Sequence, residues 1–165
     1  MKTLDFKPAK TKDDFRKNYK LHDLAEYHGK NLLLQWGIDF KEFGKDRRNE
    51  KVWEKGKDKP DIIGNYLGVE FLIDWKGKRK PGWWVNKRAV KSYQDWSKKL
   101  DMKMVICYFV FDEKNALQER RFALVNFHKY KELSNKAWDK NDVIAFEKDL
   151  PKFTKLNLVC LLKEN

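Results

Sequence analysis

Eight consecutive apolar residues, Met104 to Phe111, make a run of strand length in which β-branched and aromatic side chains dominate. A strand with no polar face must be covered on both sides, which places it inside a sheet packed between helices. Helical periodicity supplies the covers. From about Asp13 to Trp36, residues Leu21, Leu24, Ala25, His28, Leu32 and Trp36 fall on one face, and Gly37 is a natural stop. From about Asn86 to Leu100, Val90, Tyr93, Trp96 and Leu100 share another face, with Asn86 as the N-cap. Asp61 to Tyr66 and Val69 to Lys76 read as two strands of an antiparallel hairpin joined at Leu67-Gly68. The chain is therefore expected to be an α/β protein.

At 165 residues and 41% hydrophobic content, there is enough chain for one core and too little for two. A single domain is expected over 1–165, its core over about 13–138, with 139–165 an extension of unassigned place. Ile38 to Phe43 suits a short strand, and the dense mixed charge of Gly44 to Lys59 suits a loop. Beyond the polar turn at Asp112 to Gln118, a strand is expected over Arg121 to Phe127 and a short helix or turn over Tyr130 to Trp138. Asp142 to Phe146 and Leu156 to Leu162 are expected as short strands. Cys107 and Cys160 lack metal-site or redox spacing and read as buried thiols. No apolar stretch approaches the ~20 residues of a membrane span, and no apolar leader opens the chain. The expectation is a soluble, cytoplasmic protein with no membrane partner.

The formal net charge of +12 speaks to partners, and its distribution narrows them. From Trp75 to Gln94 the chain carries Lys76, Lys78, Arg79, Lys80, Lys87, Arg88 and Lys91 without one Asp or Glu, and Trp83-Trp84 lies among them. Cations interleaved with aromatics suit a nucleic-acid groove, where rings stack on unpaired bases. The plainer reading is a solvated basic face beside a hydrophobic rim.

Next to this stretch lie the acids. Side chains alternate along a strand, so Val69, Phe71, Ile73 and Trp75 share one face while Glu70, Leu72, Asp74 and Lys76 share the other. Asp61, at the turn after Pro60, comes beside Asp74 across the hairpin. Two carboxylates and a main-chain carbonyl, that of Trp75, suffice for magnesium, which prefers hard oxygen and keeps several waters. Such an ion assists phosphodiester hydrolysis by activating water and stabilising phosphate charge. Lys76 could orient the water as general base or stabilise the developing charge, and the sequence leaves both open. The plainer alternative is an Asp74–Lys76 surface ion pair with Asp61 serving only the turn. Glu26 sits at the margin of the first helix's apolar face, where a carboxylate could be aimed along a sheet edge.

Pro60-Asp61 with Asp74-Trp75-Lys76 resembles the signature of the PD-(D/E)xK nucleases. The segments Pro60 to Ile63, Lys76 to Lys80 and Trp84 to Arg88 are similar to archaeal Holliday-junction resolvases, as is Glu26 with Gly37 eleven positions on. Met104 to Trp138 looks more like the resolvases of Gram-positive bacteria, and the likeness spans roughly 20–138. It implies a restriction-endonuclease-like core, a central mixed sheet flanked by helices. It also implies a magnesium-dependent endodeoxyribonuclease, manganese substituting, that acts as a homodimer on branched or four-way-junction DNA. By the same likeness, Glu26, Asp61, Asp74 and Lys76 are catalytic. Asp61, Asp74 and the Trp75 carbonyl hold the metal, and Glu26 joins them through water. Lys78, Arg79, Lys80, Trp83, Trp84, Lys87, Arg88, Lys91 and Gln94 bind DNA. Two departures stand out: Asp74 replaces the usual glutamate, and Gln94 lies about one turn late for the family's glutamine. A restriction-like or repair nuclease on other DNA, and a non-catalytic nucleic-acid-binding module, are the competing readings.

Overall fold

The computed structural model describes residues 13–44, 58–134 and 142–164, the first eight of these by backbone alone. In chain order the elements are α1 (Asp13–Gln35), β1 (Asp39–Glu42), β2 (Ile62–Tyr66), β3 (Val69–Lys78), β4 (Trp84–Asn86) and α2 (Lys87–Leu100). They continue with β5 (Lys103–Phe111), β6 (Leu117–Leu124), β7 (Tyr130–Ser134), β8 (Asp142–Phe146) and α3 (Lys155–Lys163). Most of the loop expected over 44–59, namely 45–57, and positions 135–138 lie outside the described residues.

A five-stranded mixed sheet runs β1-β2-β3-β5-β6, in which β3 and β5 are parallel and every other pair antiparallel. This is the expected α/β architecture, with β3 rather than β5 as its middle strand. The parallel step needs a long crossover. Strand β4 and helix α2 supply it. A second sheet, β4-β8-β7, is antiparallel throughout. One face of the large sheet buries Phe71, Ile73, Trp75, Phe109 and Phe122 against α1 and α3. The other buries Leu72, Ile106 and Tyr108 against Val90 and Tyr93 of α2 and against Val85, Ile144 and Phe146 of the small sheet.

Local chemistry explains the joints. Leu67 and Gly68 have φ of 52° and 88°, the doubly left-handed turn that matches strand twist in a two-residue hairpin. Asn86 caps α2, its side chain accepting from the Arg88 N–H at 3.2 Å. Gly77 of β3 lies under α1 so closely that a Cβ would collide with the Leu21 carbonyl, and a Cβ at Gly29 would strike the Trp75 ring.

Four expectations are corrected. Strand β6 begins at Leu117, not Arg121, because Asp112 Oδ1 accepts the N–H groups of Lys114 and Ala116 and closes the turn early. It ends at Leu124, where the N–H groups of Phe127 and His128 fold back onto the Leu124 carbonyl. Residues 130–134 form a strand rather than a helix or turn, since β8 offers them a ladder from eight residues away or more. Leu156 to Leu162 belongs to helix α3, opened by Thr154 accepting from the Asn157 N–H at 3.2 Å, and Cys160 on it is exposed rather than buried. A short apolar run does not distinguish strand from helix by itself. The tail is also integral: Phe153 is fully buried and its ring stands 6.4 Å from that of Trp75.

Candidate active site

Strand β3 continues the ladder to the residue just before β2, where the Asp61 N–H donates to the Ile73 carbonyl at 2.9 Å. That register sets Asp61 beside the middle of β3. Its Oδ2 accepts from the Trp75 N–H at 2.8 Å. Asp74 is one of two buried polar residues among those described, 4% exposed, and Lys76 follows it on the same face. Lys76 Nζ stands 3.0 Å from Asp74 Oδ2 as an ion pair. The ammonium is the counter-charge of this buried carboxylate. Tyr93 of α2 closes the pocket, with the Lys76 ammonium 5.9 Å above its ring centre.

The charges act on one another. Burial, and then the Asp74 charge, push the Asp61 carboxyl well above its ordinary value, against the Trp75 N–H and Lys76, which pull it down. Burial works against the ammonium of Lys76. Asp74, Asp61 and Asp58 outweigh it, and Lys76 is held above its ordinary value. Tyr93 is raised well above the phenolic range, by burial first and then by Asp74, Asp61 and Asp58. Lys78, next on the same face, is lowered to about 8 by burial and by repulsion from Lys76.

Asp61, Asp74, Lys76 and the Trp75 backbone thus converge. Glu26 is engaged elsewhere: Lys30 holds it at 2.7 Å and also reaches Glu42 of β1 at 2.9 Å. Among the described residues no three His, Cys, Asp or Glu side chains close on a single ion position. The remaining donors still fit magnesium, which one or two carboxylates hold when water and substrate phosphate complete the shell. The burial of the Asp74 carboxylate and the mutual repulsion of two adjacent acids are what such an ion would relieve. The Trp75 carbonyl accepts from His22 Nδ1 at 3.1 Å, which leaves one of its two lone pairs.

The basic stretch divides. Lys80, Arg88 and Lys91 are exposed. Arg79 donates to the Asp112 carbonyl, Lys87 pairs with Glu132 at 2.5 Å, and Gln94 donates to Asn126 at 2.8 Å. Lys78 Nζ lies 5.6 Å over the Trp84 ring and 6.0 Å over that of Tyr108. Trp84 is 44% exposed, whereas Trp83 is buried and donates from Nε1 to the Lys148 carbonyl at 3.2 Å. Neighbouring strand residues point to opposite sides, so only one tryptophan of the pair can face a base.

Sequence reasoning missed His22, Tyr93 and Asp58. His22 stands one helical turn before Glu26, on the same side of α1. That spacing was the only available signal. Tyr93 had been read as core, which it also is.

No protein-family model matches the chain, and no curated protein matches it. Among solved structures it is similar to a Holliday junction resolvase from the archaeal hyperthermophile Archaeoglobus fulgidus. Identity is 12%, over 75% of this chain and 83% of that one, with a TM-score of 0.48. At that identity the similarity concerns the backbone.

Proposed function

We propose that this protein is a magnesium-dependent endodeoxyribonuclease that hydrolyses phosphodiester bonds in branched DNA, four-way junctions foremost, as a homodimer. The observation that carries the reading is the Asp61–Asp74 pair, with Asp74 buried, closed by Lys76. The exposed cations Lys80, Arg88 and Lys91, with Lys78 and Trp84, flank it and suit a phosphate backbone. The signature's resemblance to resolvases supplies the branched substrate, and the two-fold symmetry of a junction asks for two copies of the site.

When bound, magnesium would supply an activated water and charge stabilisation at the phosphate. Asp61 and Asp74 would hold it. Lys76, kept protonated by its acidic neighbours in the metal-free protein, is suited to stabilising charge on the phosphate oxygens rather than to taking a proton. Tyr93, itself buried, walls the pocket and limits water around the acids.

The test is cleavage of a labelled four-way junction and a matched duplex, with magnesium and with EDTA, by the parent and by Asp74→Asn. Junction cutting that needs magnesium, lost in the variant while DNA binding persists, is the expected result. Equal cutting by the variant refutes the site, and metal-independent binding without scission refutes the enzyme.

A further inference from the structure

Helix α1 brings to the acids one side chain that the nuclease reading leaves without a role. His22 Nδ1 lies 3.1 Å from the Trp75 carbonyl oxygen, which can only accept, so Nδ1 carries the hydrogen. On the far side of the ring, Nε2 lies 3.7 Å from Asp61 Oδ1, while Oδ2 of the same carboxylate takes the Trp75 N–H at 2.8 Å. The backbone of Trp75 is therefore gripped at both of its polar groups, the N–H by Asp61 and the carbonyl by His22.

Trp75 stands between Asp74 and Lys76, so the tilt of its peptide groups sets the direction in which both side chains leave β3. Helix α1 reaches this point because Gly77 and Gly29 carry no side chains where the helix and strand meet. A clamp delivered from a separate element fixes the strand in a way the ladder alone does not. Groups of this kind, one step removed from the reacting atoms, orient those that touch them.

We propose that His22 is a positioning residue for the acid pair, clamping the Trp75 carbonyl and flanking Asp61 so that Asp61, Asp74 and Lys76 are arranged before metal or DNA arrives. This rests on the nuclease reading.

Its test separates the two. In His22→Asn the side-chain amide nitrogen takes the place of Nδ1 and keeps the clamp; in His22→Ala it is gone. Three measurements are made: long-range ¹H–¹⁵N NMR of the metal-free parent at pH 8, Mn²⁺ binding by calorimetry, and single-turnover cleavage of a four-way junction. The expected results are a proton on Nδ1 and an alanine variant weaker in Mn²⁺ affinity and rate by about 10- to 100-fold. DNA affinity should be unchanged, and the asparagine variant should be restored to within a few-fold of the parent. A parent ring with no proton on Nδ1 overturns the inference. So does an alanine variant equal to the parent, or an asparagine variant as poor as alanine. A parent that cuts no DNA removes the nuclease reading instead, and the NMR and Mn²⁺ results still decide the clamp.

Discussion

Lys78 is the group whose replacement has the most calculable effect. It continues the face of β3 that carries Asp74 and Lys76, and its ammonium lies between the rings of Trp84 and Tyr108. Burial, then repulsion from Lys76, lowers it from 10.5 to about 8. At about 1.4 kcal/mol per tenfold change in proton affinity, keeping this lysine charged at neutral pH costs the fold about 3 kcal/mol. Partial exposure to solvent reduces that, so Lys78→Met should gain about 1–3 kcal/mol at pH 7. The sign with pH follows. Between about 8 and 10.5 the folded chain has shed a proton that the unfolded chain still holds, so the parent's stability from this group rises across that window. The variant lacks the rise, and its advantage should shrink toward zero by pH 10.5. Urea unfolding of both proteins at pH 7 and pH 10 measures this as a difference of differences. DNA binding should move the opposite way, the variant binding more weakly with a salt slope reduced by about 1. A variant less stable than the parent at pH 7, or an advantage that does not change with pH, refutes the assignment of an uncomfortable charge held ready for phosphate.

Gly77→Ala should destabilise the protein by about 3 kcal/mol in urea unfolding, since the new methyl must displace the backbone of α1 at Leu21; a neutral result would mean that the helix is not seated on β3. Trp84→Ala should cost about 1–3 kcal/mol in affinity for single-stranded or junction DNA by fluorescence anisotropy and little stability. Trp83→Ala should do the reverse, losing about 3–5 kcal/mol of stability because the ring fills the core against Tyr108.

What the sequence disclosed was what neighbouring residues decide. Leu67-Gly68 dictated a hairpin, alternation set Asp74 and Lys76 on one side of a strand, and Asn86 marked a helix start. The hairpin then carried Asp61 to Asp74, because a register once fixed by its turn leaves no freedom across the ladder. Pairings between distant segments were not legible. Strands β7 and β8 form only against each other and β4, so 130–134 offered no period of its own. His22 was hidden for a similar reason: its partners, Trp75 and Asp61, are reached only once α1 lies across β3. Glu26 was legible in a different sense, since Lys30 four residues later is the spacing at which a helix pairs opposite charges.

The position of the tail limits how small this protein can be made. Asp61, Asp74, Lys76, His22 and Tyr93 are all written by residue 93, yet β4 has its ladder from β8, and the Trp75 ring has Phe153 as a neighbour in the core. Trimming inward from the carboxyl side would therefore strip the flank bearing Trp84 and open the underside of the strand that holds Asp74, so a shorter working unit has to be sought by shortening loops.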